Sequence, residues 1–253
     1  EDMAVMQNDS MSLRAVDGLP GLLRTLEASG DERVKEAVGH LSAWDCRMET
    51  DRVGAAIFEN FFHEWGLEVA SERFEGDIAE LLGSAVAGLA VELLDAHNHS
   101  WFANGGRDQA VLKAMNRTLA DMDARLGPDM STWTWGAIHK VQLGHHLSDR
   151  GEIFQTLDRG GDPVRGNGVT VCNTGFDPNY LAMMGANYRI NADLGEDPPG
   201  LWAVYVAGQS GHPGSPNYCD QLSTWLDGQH HYIPIDRARV EAQATVKLKL
   251  GGR

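Results

Sequence analysis

The hydrophobic period of this chain changes at Gly127 and Pro128, and that change limits the fold more than any other feature. Before it, apolar residues recur at helical spacing. Val53, Ile57, Phe61, Trp65 and Val69 follow one another every four residues, with Phe58 and Phe62 widening the stripe, so a long amphipathic helix is expected from Arg52 onward. Ile78, Leu81, Leu82, Ala85, Val86, Leu89, Leu93 and Leu94 form a second periodic stretch, and Val111, Leu112, Met115, Leu119, Met122 and Leu126 a third. Gly127 and Pro128 end the third, since proline cannot continue a helix and glycine accepts the backbone turn that closes one. Shorter helices are expected over residues 2–16 and 31–41, punctuated by Gly18, Pro20 and Gly30.

After Pro128 glycine becomes frequent and the apolar runs shorten. Residues 168–173, 187–194 and 201–207 read as strands bounded by Gly or Pro clusters. The run 201–207 is apolar at nearly every position, which predicts burial on both faces within a layered sheet. Residues 220–227 and 236–244 read as short helices, and residues 245–250 alternate lysine with apolar residues as an edge strand does. Helices first and strands second define an α+β chain: a helical segment over residues 1–130 and a strand-rich segment over 131–253, read as one structural unit rather than independent domains. So few strands cannot cover their own apolar faces, and part of the sheet is expected to lie outside this sequence.

Composition fits that picture. With 42% hydrophobic and 23% charged residues the chain can build a core, and its net charge of −15 repels nucleic acid and anionic membranes. Its apolar runs, such as residues 84–96, fall short of the roughly 20 residues a bilayer needs. Cys46, Cys172 and Cys219 allow at most one disulfide and form no C-x-x-C pair. The opening Glu1, Asp2 and Met3 contain neither an initiator Met nor a signal sequence, which reads as a chain cut out of something longer.

Several residues invite a chemical reading. His97 with His99, His139 with His145 and His146, and the pair His230 and His231 suggest zinc ligands, but no H-E-x-x-H occurs and no pair stands at i, i+4 beside an acidic residue. Local hydrogen bonding is the expected role, and no metal site is assigned. Ser210 lies between Gly208 and His212 in a segment superficially like a nucleophile elbow. The second glycine of that motif is replaced by His212, and Pro213, Gly214 and Pro216 prevent a helix from following. A rigid loop is expected instead. Cys172 and Cys219 act as nucleophiles only beside a base, and a buried structural thiol is the expected reading. Gly160, Gly161, Gly166 and Gly168 lack the Gly-Lys-Ser/Thr of a phosphate loop. Trp133, Trp135, Trp202 and Trp225 either line a pocket or seal helices against the sheet, and sealing is the expected role.

In the second half Trp133, Trp135 and Gly136 are followed by His139 and His145, then by Gly166, Asn167, Gly168 and Asn173, then by Gly185, Asn187, Tyr188, Arg189 and Ile190 leading to Asp193 and Leu194. The most specific stretch runs from Gly208 through Ser210, Gly211, His212, Pro213, Gly214, Pro216, Asn217 and Tyr218 to Asp220, Gln221, Trp225 and Gly228. This order of motifs resembles the penicillin acylase (penicillin amidase) family of N-terminal-nucleophile hydrolases. Glu1, Asp2 and Met3 with Gln7, Asp9 and Ser10 resemble the point just after the catalytic core of that family's large subunit. Asn217 stands where the family commonly has His, and Cys219 is an uncommon choice.

The resemblance implies a precursor that cuts itself into a small and a large subunit. The exposed N-terminal Ser, Thr or Cys of the large subunit then cleaves an amide, with its own α-amino group as base. It also implies that the nucleophile, the oxyanion Asn and the calcium ligands precede this segment, so no catalytic residue, cofactor or metal ligand is carried over to it. By this reading the chain supplies the last strands of an αββα sandwich as a partial domain and is inert alone. Its partners are the remainder of the precursor and a small-molecule amide such as a β-lactam, an acyl-homoserine lactone or a lipopeptide. Export to the periplasm or the cell exterior, a role in antibiotic biosynthesis and dimerisation through an exposed sheet edge are further expectations. The alternatives are a non-catalytic binding domain with a Trp-rich surface and a freestanding hydrolase using Cys172, Cys219 or Ser210.

Overall fold

The structure is a computed structural model describing residues 2–95, 100–102 and 106–251. In chain order its elements are α1 (Asp2–Gln7), α2 (Leu13–Leu26), α3 (Glu32–Ser42), α4 (Val53–Ser71), α5 (Asp77–Gly83), α6 (Ala87–Asp95), α7 (Gly106–Leu126), α8 (Trp135–Ile138), β1 (Lys140–Leu143), α9 (Glu152–Gln155), β2 (Arg159–Pro163), β3 (Thr174–Phe176), β4 (Ala182–Gly185), β5 (Tyr188–Asp193), β6 (Gly200–Tyr205), α10 (Leu222–Leu226), β7 (His231–Tyr232) and α11 (Arg237–Gln243). They fall into two compact units. The larger comprises Asp9–Leu143 and Gly160–Gly185, the smaller Glu1–Asn8, Gly144–Arg159 and Ala186–Arg253. The change from helices to strands near residue 130 lies inside the larger unit.

In that larger unit α4 is the central helix. Ile57, Phe58, Phe61, Trp65 and Val69 are buried as their period predicts, but so are Gly54, Ala55, Ala56, Glu59, Asn60 and Phe62. The helix is enclosed on nearly every side rather than amphipathic, because α3, α5 and α7 all pack on it. Its Trp65 satisfies the indole N–H on the carbonyl of Ala90 at 2.7 Å.

The expected helix over residues 2–16 is split. Between α1 and α2 the chain is extended, with Met11 bridging Arg47, Ser12 N–H donating to Cys46 O and Met48 N–H donating to Ser10 O. Ser12 then caps α2 by accepting from Ala15 N–H, so a run of small polar residues breaks one helix and starts the next. Gly18 and Pro20 lie within α2 instead of punctuating its end. The reason is α6: a Cβ on Gly21 would strike the backbone of Leu94, and one on Gly18 would sit 3.0 Å from the Leu94 side chain. The second periodic stretch is likewise interrupted, by a turn at residues 84–86, leaving Ile78 and Leu81 of the seven-residue α5 exposed.

The sheet of this unit runs β2-β1-β4-β3, with β1 parallel to β4 and β3 antiparallel to it. Residues 168–173, expected as a strand, form a loop instead. Thr170 Oγ1 lies 2.7 Å from Cys172 O and accepts from Asn167 N–H, while Asn167 Oδ1 accepts from Val169 N–H. These local bonds take the groups that a ladder would need.

In the smaller unit β5-β6-β7 form an antiparallel sheet, with Ile190 opposite Ala203 and Trp202 opposite Tyr232. Central strand β6 buries Ala203 and Val204, neighbours on opposite faces, as its apolar run predicts. Arg189 of β5 lies over the Trp225 ring of α10 at 4.5 Å, and Trp225 donates its indole N–H to Ala186 O. Residues 245–250 do not form the expected edge strand; Val246, Leu248 and Leu250 are exposed, with no strand among the described residues beside them. Alternation alone cannot make a strand without a partner ladder. Among the described residues no helix is long and apolar enough to cross a membrane.

Candidate functional site

The residues singled out in the sequence are not brought together. His97 and His99 lie outside the described residues. His139 is fully buried, with Nδ1 2.8 Å from Tyr180 O, Nε2 3.0 Å from Thr174 Oγ1 and its ring stacked on Trp135. Burial pushes its pKa down to about 4, so one ring nitrogen carries a hydrogen at neutral pH. That hydrogen belongs on Nδ1, where only an acceptor faces it, and Nε2 faces the Thr174 hydroxyl, whose Oγ1 also lies 2.9 Å from Arg165 O. His145 belongs to the smaller unit, where its backbone N–H donates to Asp158 Oδ1 and Nδ1 accepts from Leu147 N–H. In the same unit His230 Nε2 lies 3.1 Å from both Gln7 Oε1 and Asn191 Nδ2. His146 and His231 are solvent-exposed, and no metal-holding cluster of three ligands exists among the described residues.

Ser210 Oγ accepts from His212 N–H, and Ser210 N–H donates to Asn217 O, the hydrogen bonds of a closed loop. None of the three cysteines forms a disulfide; Cys172 is buried, and burial, with Asp45 second, pushes the Cys46 thiol up. Trp133, Trp135 and Trp225 seal the interior as expected, each donating its indole N–H to a backbone carbonyl: Gly127, Gly166 and Ala186.

What the sequence reading missed is a cavity of about 320 Å³ in the larger unit. Its polar end is built from α2 and α4. Glu59, Phe62 and His63 stand at i, i+3 and i+4 on α4, one side of the helix, facing Arg14 near the start of α2. Arg14 Nη1 donates to Glu59 Oε1 at 3.1 Å, and Asn167 Nδ2 of the 168–173 loop region donates to Oε2 at 3.0 Å. Burial raises the pKa of Glu59 even so, opposed by Arg14 and Asn167. Arg14 itself lies over the Phe62 ring at 4.4 Å.

Phe176 of β3, Met184 of β4 and the turn at Asp177, Pro178 and Tyr180 wall the other side. Tyr180 is held in the left-handed region, φ 66°, a conformation costing a bulky residue about 1–2 kcal/mol. Its backbone N–H donates to Asp177 O, and its carbonyl faces His139. A signal for this site was present in the sequence: Glu59 and Asn60 interrupt a long apolar stretch, and a polar residue retained on a buried helix must find partners.

The pattern of the penicillin amidase family matches residues 1–242. The chain belongs to that family. The acyl-homoserine lactone acylase QuiP of Pseudomonas aeruginosa is 24% identical over 92% of this chain and 30% of its own length. The penicillin acylase 2 proenzyme of a Pseudomonas species is 28% identical over 99% of this chain and 33% of its own length. The chain therefore spans about a third of these curated relatives. A thermostable penicillin G acylase from Alcaligenes faecalis superposes with TM-score 0.54 at 15% identity, covering 97% of this chain and 48% of that one. This last likeness is one of fold, and the mixture of helices and sheets agrees with the expected α+β class.

Several residues of the expected motifs bind or approach backbone groups in this chain. Gly166 accepts from Trp135, Gln221 Oε1 accepts from Tyr205 N–H, and Arg189 Nη1 donates to Asn8 Oδ1 and Trp225 O. A side chain on Gly208 would collide with Asn217 O, which keeps that loop closed.

Proposed function

We propose that this chain is the C-terminal part of the large subunit of an acylase that hydrolyses a linear amide of an N-acylated small molecule, releasing a carboxylic acid and an amine. The observation that carries the proposal is the family match through residue 242, set beside relatives about three times as long as the stretch they share with it. The nucleophile, the oxyanion donors and any calcium ligands belong, on this reading, to the segment that precedes it. The small subunit and that segment are its partners, and self-cleavage of a precursor brings them into being. Export to the periplasm or the cell exterior is part of the same proposal.

Support comes from what the motif residues do here. Trp135, Gln221, Arg189 and Gly208 hold backbone in place, as residues of a scaffold around a distant nucleophile would. The substrate classes proposed are a β-lactam side-chain amide, an acyl-homoserine lactone or a lipopeptide.

Assay of the full gene product and of this chain alone against one amide of each class tests the proposal. Amine release is expected from the full product and none from the chain alone. Hydrolysis by the isolated chain would refute the scaffold role.

A further inference from the structure

We propose that the cavity beside the Arg14–Glu59 pair binds a small quaternary ammonium ion. Its whole wall belongs to the larger unit, and its volume of about 320 Å³ falls at the lower end of the range for small-ligand sites, roughly 300–1,000 Å³. Arg14, Glu59, His63 and Asp177 line it, together with Tyr180, whose phenol burial holds in its neutral form. Arg14 and Glu59 lie 3.1 Å apart and offset each other. Asp177 forms no ion pair among the described residues. Its Oδ1 accepts from the backbone N–H groups of Asn179 and Leu181, which fixes the carboxylate at the turn without neutralising it. His63 is exposed and adds a positive charge only when its imidazole is protonated, so with a neutral imidazole the wall carries one unbalanced negative charge.

That charge selects a cation over an anion or a neutral guest, in the same sense as the net charge of −15 on the chain. The wall is also aromatic. Arg14 already places its guanidinium 4.4 Å over the Phe62 ring, and Phe176 and Tyr180, with ring centroids 5.3 Å apart, offer two further rings beside Asp177. Few acceptors remain for N–H donors: the two Glu59 oxygens receive Arg14 and Asn167, and Asp177 Oδ1 receives two backbone groups. A primary ammonium would bring three donors to be satisfied as water leaves. A quaternary nitrogen brings none, and its methyl groups pack on the rings, Val169 and the Met184 thioether at the rim. The proposal rests on the charges and shape of this cavity and not on the acylase reading.

Isothermal titration of the full gene product with choline, against its uncharged isostere 3,3-dimethylbutan-1-ol and the primary amine ethanolamine, tests it, at pH 8.5 where an ordinary imidazole is neutral. Choline is expected to bind at least about tenfold more tightly than either. In the methyl spectrum of ¹³C-methionine-labelled protein, choline should shift the Met184 resonance, which places the guest in this cavity rather than elsewhere on an acidic surface. Asp177→Asn keeps an Oδ1 acceptor for the turn but removes the charge, and it should weaken choline binding about tenfold. Four results would each overturn the proposal: no choline binding, equal or tighter binding of the isostere or of ethanolamine, a Met184 methyl that does not respond, or unchanged affinity in a folded Asp177→Asn variant.

Discussion

His139 shows how burial fixes the chemistry of one side chain. Its ordinary pKa of about 6.5 falls to about 4 in the fold, so between those values the unfolded chain binds a proton that the folded chain refuses. Stability from this group is therefore present above pH 6.5 and lost as pH falls toward 4, by about 3 kcal/mol in all. Denaturation midpoints measured from pH 7 to 4.5 should fall more steeply for the native chain than for His139→Asn, once the cost of the substitution at pH 7 is subtracted; parallel curves would contradict the assignment. Glu59 meets the same burial penalty on its charged form, and two donors, Arg14 and Asn167, oppose it. Glu59→Ala leaves Arg14 and Asn167 without their acceptor and is expected to cost about 3 kcal/mol, read as a lower denaturation midpoint.

Among the elements, the close crossing of α2 and α6 depends on glycine. Gly21→Ala should lower stability by about 2 kcal/mol, because its methyl meets the Leu94 backbone, whereas Gly88→Ala in α6 meets nothing and should raise it by about 0.5–1 kcal/mol. Thermal melts of the two variants check the pair. The same crossing explains what was legible in the sequence. Long periodic runs predicted α4 and α7 directly, and the apolar run after Gly200 predicted a strand buried on both faces, since each signal is local to its element. Pro20 inside α2, the break between α5 and α6, and the loop at 168–173 were misread because contacts or side-chain hydrogen bonds decided them, not periodicity. The cavity was missed for a related reason: Arg14, Glu59 and Asn167 are far apart in the chain and converge only through packing. The histidines and Ser210, which drew attention by motif, form local hydrogen bonds instead.

At the scale of the whole molecule, exposed apolar faces bear on the proposal that this chain is one part of a longer subunit. Tyr188 and Ile190 of β5 share a face and are 53% and 44% exposed, while Arg189 between them is buried against α10. Expressed alone, the chain is expected to self-associate through such surfaces, giving a mass by light scattering above its 27.6 kDa, and Ile190→Lys should reduce the excess. The central claim is that the chain acts as the scaffold of an acylase whose nucleophile lies in a preceding segment. Intact mass spectrometry of the protein from its native host, with an amidase assay on the same sample, tests it most directly. The account predicts a large subunit that contains this sequence, begins with Ser, Thr or Cys and cleaves a chromogenic acyl-anilide; an active product beginning near Glu1 would contradict it.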